Sequence, residues 1–93
     1  MDKRKLNIAR KKVDILDKQI FNLLKKRTLV VKHMLNLKKY KHQIVDRKRI
    51  NEILRKIKIK SLKNRVDPKI TLAIWKSMIW SFVRYQKENF KKK

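Results

Sequence analysis

A chain of 93 residues has room for one domain and not for two. It has no glycine, one proline and no cysteine, which argues against an all-β sandwich or a dinucleotide-binding fold and excludes a disulfide scaffold and a thiolate nucleophile. Thirty basic residues against seven acidic ones leave a net charge of +23; this fits a nucleic-acid binder and compositional drift equally, so the arrangement of the charges has to decide.

The first predicted element runs from about Lys3 to Lys39, where neither proline nor glycine interrupts a helical recurrence of apolar residues. With Val13 set at zero, Leu16, Ile20, Leu23, Leu24, Val31 and Met34 all fall within about 80° of it at roughly 100° per residue. Such a helix is about 55 Å long at ~1.5 Å per residue, too long for a compact domain of this size to cover. The opening Met1-Asp2-Lys3-Arg4-Lys5 leads into this amphipathic stretch and not into an apolar signal core.

A break is predicted at Tyr40-Lys41-His42-Gln43. A second helix starts near Asp46 as N-cap, with Ile50, Ile53, Leu54 and Ile57 on one face. Ser61 to Val66 reads as a connector. Asp67-Pro68 is an N-cap followed by proline at the first helical position. The third helix passes through Ile70, Ile74, Met78, Ser81 and Tyr85 toward Phe90, and Lys91 to Lys93 read as a frayed end. Its most apolar stretch, Ile70 to Val83, contains Lys76 and is too short to span a bilayer. No membrane association is expected, and a cytoplasmic protein is the default.

The expected fold is therefore all-α: residues 1–93 form a single domain of three helices with a very long first one. Because that helix leaves apolar surface uncovered, an intertwined homodimer is expected.

Charged and amide groups on apolar faces carry the functional information, since burying a charge without a partner is costly. Arg27 and Lys38 lie about 40° and 20° from Val13, inside the stripe. Arg10 sits nearer its edge, one turn before Val13 and Asp14. Arg49 precedes Ile53 by four residues, and Gln86 follows Phe82 by four and Ile79 by seven, so each shares an apolar side of its helix. Arg27, Lys38 and Arg49 with the neutral donor Gln86 make a cationic pocket suited to a small dianion. The bland alternative is that Arg27 and Lys38 snorkel or form internal ion pairs with Asp14, Asp17 or Asp46.

With those residues in view, the chain resembles the all-helical chorismate mutase family. Ala9-Arg10-Lys11-Lys12-Val13-Asp14-Ile15-Leu16-Asp17 is similar to the family's opening L-R-x-x-I-D-x-I-D, and Leu23-Leu24-Lys25-Lys26-Arg27 to its L-L-x-x-R. Lys38 falls where a loop-proximal lysine is expected. Asp46-Arg47-Lys48-Arg49 looks like D-x-x-R, and Ile74-Trp75 through Gln86 like the closing I-F-x-x-I-I…Q. The resemblance implies a helical homodimer with two equivalent sites and a dicarboxylate substrate, needing no cofactor or metal. It implies that Arg10 reaches into the partner's site, that Arg10 and Arg27 clamp the carboxylates, and that Arg49 serves its own subunit. It also implies that Lys38 and Gln86 are the catalytic donors to the substrate's ether oxygen.

The chain departs from the family at two positions. Ile50 stands where a glutamate usually binds the ring hydroxyl, and Phe82 where a small hydroxyl residue is common; the loop from Lys38 to Asp46 is also about one residue short. An apolar residue and an aromatic at these positions are similar to what isochorismate–pyruvate lyases of the same fold carry. Asp46 fits the mutase pattern and offers another contact for the hydroxyl, so mutase ranks ahead of lyase.

A basic helical nucleic-acid binder is the rival from another class. It accounts for the charge but not for inward-facing Arg27, Lys38 and Arg49, so nucleic acid is not the expected partner. A degenerate family member with a regulatory role is the third reading, and Ile50 keeps it open. His33 and His42 have no metal-spaced partner, and Phe21, Trp75 and Trp80 read as core or dimer-contact aromatics. Lys56, Lys58, Lys60 and Lys63 read as a solvated helix face.

Overall fold

A computed structural model describes residues 2–91 of the chain. Among them are three α-helices and no strand: α1 (Lys3–Leu37), α2 (Arg47–Lys63) and α3 (Pro68–Asn89), with a 3-10 turn at Lys41–Gln43 between α1 and α2. The fraying expected at Lys92 and Lys93 lies outside the described residues.

The helix starts follow local chemistry. The Asp2 carboxylate accepts from the Arg4 and Lys5 backbone N–H groups at 2.9 and 3.2 Å, capping α1. Asp46 caps α2 by accepting from Arg49 N at 3.0 Å, and Asp67 caps α3 by accepting from Lys69 N at 2.9 Å, with Pro68 just inside the helix.

Two boundaries differ from expectation. Helix α1 stops at Leu37, two residues early, so Lys38 stands at its end and not within it. Helix α2 continues through the segment read as a connector: Ser61 is helical and buried. Its hydroxyl donates to the Ile57 carbonyl at 2.6 Å and takes a hydrogen bond from Thr71 Oγ1, also at 2.6 Å, so a residue expected in the connector instead ties α2 to α3. The turn after Lys63 places Arg65 at φ 57°, a left-handed position where a chain with glycine normally uses one.

The chain divides into two units, Met1–Val31 and Lys32–Lys93. The first is a length of α1 alone. Its predicted stripe is in place but exposed, with Val13 at 52%, Leu16 at 55% and Ile20 at 54% of full accessibility, and Val31 is its one buried apolar residue among those described. The second unit contains the end of α1, the turn and the α2–α3 pair. Its core gathers Leu35, Ile44 and Val83, with Val45, Tyr85 and Phe90 packed against it.

On α2 the predicted face is the inner one: Ile50 is buried, and Ile53, Leu54 and Ile57 are partly so. On α3 the buried line is Ile79, Val83 and Gln86, spaced for one helix face, whereas Ile70, Ile74 and Ser81 remain exposed. Pattern-reading on α3 was ambiguous because apolar residues occupy more than one of its faces.

Candidate functional site

The second unit brings together two of the predicted site residues that lie 48 positions apart. Lys38 Nζ donates to Gln86 Oε1 at 2.6 Å. Gln86 is 7% exposed, and its Nε2 donates to the Phe82 carbonyl at 3.3 Å, one helical turn back. Both ends of the carboxamide are thus assigned: the oxygen faces the ammonium and the amide nitrogen faces the backbone. A buried glutamine held this way is a directed donor, since the nitrogen still has a second proton to offer.

Lys38 is held by the segment around it. Its N–H donates to Leu35 O at 3.2 Å as α1 ends. Beyond it, Gln43 Oε1 accepts from the backbone N–H groups of both Lys39 and Tyr40, at 2.9 Å each. Ile44, next to Gln43, is buried in the core. The turn is therefore anchored from both sides, and the His42 ring stacks on Tyr40 with centroids 5.5 Å apart. The sequence marks Gln43 only as part of a break; its spacing of three from Tyr40, the reciprocal-capping distance, is the one local signal for this role.

The electrostatics of Lys38 are mixed. Burial pushes its pKa below the ordinary lysine value, and the negative charge of Asp46 partly opposes that shift. Asp46 lines the same open cavity as Lys38, about 1090 Å³ in volume, with Lys41, His42, Arg47 and Lys87 also in its wall. Asp46 thus has two tasks: one carboxylate oxygen caps α2, and the group's charge faces an ammonium.

The other predicted residues are placed as follows. Arg49, expected on the inner side of α2, has a 59% exposed side chain whose guanidinium lies 3.8 Å from Glu52. Ile50, one residue on, is buried. Phe82 is half-buried on α3 and receives the Gln86 amide on its carbonyl. In the first unit, Arg10 is exposed, while Arg27 is partly buried and its pKa is lowered by desolvation. Among the described residues no group of three His, Asp or Glu side chains is placed to hold a metal ion, and no helix is long and apolar enough to cross a membrane.

A lysine ammonium and a carboxamide brought together in this way suit a reaction whose demand is stabilisation of charge on an oxygen. In agreement with that chemistry, residues 9–87 match the family model described as chorismate mutase type II. The chain belongs to that family, and its activity is of the chorismate mutase type. Comparison with curated proteins and with solved structures gives no match.

Proposed function

We propose that the chain is a chorismate mutase that converts chorismate to prephenate in a cationic pocket completed by a second copy of itself. In this concerted rearrangement the ether C–O bond breaks as a new C–C bond forms, and no proton, electron or leaving group has to go anywhere else. The protein's task is to hold the flexible dicarboxylate in its reactive shape and to stabilise negative charge growing on the ether oxygen.

The observation that carries this reading is the 2.6 Å hydrogen bond from Lys38 Nζ to Gln86 Oε1. An ammonium has three protons, so Lys38 can hold Gln86 and still donate to a substrate oxygen beside it. Gln86 contributes its remaining amide proton to the same oxygen. Arg27 and the partner copy's residue 10 clamp the two carboxylates, with Arg49 of the same subunit supporting them, and Asp46 accepts from the ring hydroxyl.

Homodimerisation is supported by the exposed stripe Val13, Leu16, Ile20 and by Ile70 and Ile74 on α3. Rows of aliphatic side chains at helical spacing are the usual material of a helix–helix interface. Residues 1–93 then act as one domain within each subunit.

A second reading has its own observation. Ile50 is apolar and buried where the mutases carry a hydroxyl-binding glutamate, and Phe82 stands on α3 four residues before Gln86. Both are features of isochorismate–pyruvate lyases. Incubating the purified protein with chorismate and isochorismate side by side separates the two. Prephenate formed from chorismate is the expected outcome, pyruvate released from isochorismate favours the lyase, and turnover of neither rejects both.

A further inference from the structure

The cavity beside Lys38 is also lined by residues given no role above. Four cations, Lys38, Lys41, Arg47 and Lys87, line it against a single carboxylate, Asp46. A neighbouring groove of about 490 Å³, beside Trp80, Arg84 and Glu88, shares Lys41 and Lys87 in its wall. These two lysines therefore stand where the two spaces meet.

Neither lysine is placed by chance of a loose tail. Lys41 opens the 3-10 turn that Gln43 fastens to the backbone of Lys39 and Tyr40. Lys87 follows the buried Gln86 on α3, so its Cα is fixed while its side chain stays exposed. Arg47 is the first residue of α2, directly after the Asp46 cap. Lys41 and Lys87 thus lie beside the backbone that holds the Lys38–Gln86 pair, and Arg47 follows the carboxylate that faces Lys38.

Resting on the reading above, we propose that Lys41, Arg47 and Lys87 form an outer anion site, which holds one carboxylate of the substrate before the molecule reaches Lys38 and Gln86. A dianion gains attraction from each cation along a cavity wall, and low-dielectric walls concentrate that field. Such a site raises the local concentration of substrate and leaves the chemical step alone. Its effect belongs in KM, and it is screened by salt because the groups are exposed to water.

The test is steady-state kinetics of the double variant Lys41→Gln/Lys87→Gln across an ionic-strength series. The expected result is a KM raised about tenfold at low salt, an unchanged kcat, and a flatter dependence of KM on salt than the native protein has. A second variant, Lys56→Gln/Lys58→Gln, removes the same charge from exposed α2 residues that line neither cavity, and it should leave KM near the native value. An unchanged KM in the first variant overturns the proposal, as does an equal rise in both. A loss of kcat in the first variant also overturns it, by placing these lysines in the chemistry. If the native protein turns over neither chorismate nor isochorismate, the functional reading falls and takes this one with it; native turnover with unaffected variants removes the outer site alone.

Discussion

In Met1–Val31 the apolar residues are exposed and aligned along one helix, whereas in Lys32–Lys93 apolar residues from three elements meet and even polar groups are buried with partners. The two regions use the same helical periodicity to different ends. In the second, Leu35, Ile44 and Val83 close a core, and Ser61 and Gln86 are buried because each has its hydrogen bonds satisfied. In the first, Val13, Leu16 and Ile20 have the spacing of a core without the neighbours. The stripe is exposed apolar surface, whereas the second region already holds its buried polar groups in hydrogen bonds.

Two substitutions break this contrast from opposite sides. Lys38→Ala removes the proposed donor to the ether oxygen and is expected to lower kcat by about 10²–10³, as loss of one such donor does elsewhere. Sedimentation should find the assembly unchanged, and near-native turnover would count against the assigned role. Ile20→Glu acts on the first region. It places an unpaired carboxylate in each half of the proposed interface, at a cost of about 3–5 kcal/mol, or roughly a hundredfold or more in the dissociation constant. Activity should then rise with protein concentration and recover at high concentration, whereas Lys38→Ala stays inactive throughout. A native-like sedimentation profile for Ile20→Glu would move the interface elsewhere.

The pKa of Lys38 sharpens the comparison by pH. Burial lowers it, so the ammonium is lost at a pH below that of an ordinary lysine. The alkaline limb of kcat/KM, which reports the free protein, should fall in that range. The limb of kcat should lie higher, because a bound dianion restores preference for the charged lysine. The sign for stability is the reverse of a salt-bridged group. A lysine with a lowered folded-state pKa penalises folding while it is charged in both states, and the penalty fades as pH rises from the lowered folded value to the ordinary unfolded one. Coincident limbs for the two kinetic parameters would separate Lys38 from substrate binding.

The helices were legible because their signals are local: Asp46 and Asp67 cap α2 and α3 as their positions foretold. Lys38 and Gln86 were legible as polar groups on apolar faces, and they meet. Arg49 was less so, because a separation of four from Ile53 fixes a side of the helix only loosely; its exposed guanidinium lies 3.8 Å from Glu52. Gln43, Lys41 and Lys87 are not legible for another reason. Their placement depends on how a turn folds back on the backbone and on which residues share a cavity wall, and neither is encoded in the period of one helix.

Ile50→Glu addresses selectivity. It restores the carboxylate that the family's mutases direct at the ring hydroxyl, and should shift the kcat/KM ratio toward chorismate over isochorismate by about tenfold, the scale of one pocket contact. Because Ile50 is buried, some loss of stability is expected as well, and thermal unfolding should be followed beside the kinetics. An unchanged ratio in a folded variant would mean that the hydroxyl does not lie near this position.

The smallest effect lies in the turn between α2 and α3. Val66 N donates to Ser61 O at 2.9 Å and Arg65 N to Leu62 O at 3.4 Å, the paired bonds of a helix end closed by a left-handed residue. That residue is Arg65, at φ 57°, where a side chain with a Cβ atom costs about 1–2 kcal/mol. Arg65→Gly removes the clash but gives the unfolded chain more freedom, which offsets part of the gain. A net stabilisation of about 0.5–1 kcal/mol is expected, or a few degrees in Tm at fixed protein concentration. Turnover should not change, since Arg65 lines neither cavity. A lower Tm would show that the arginine side chain contributes more to the folded state than its backbone strain takes away.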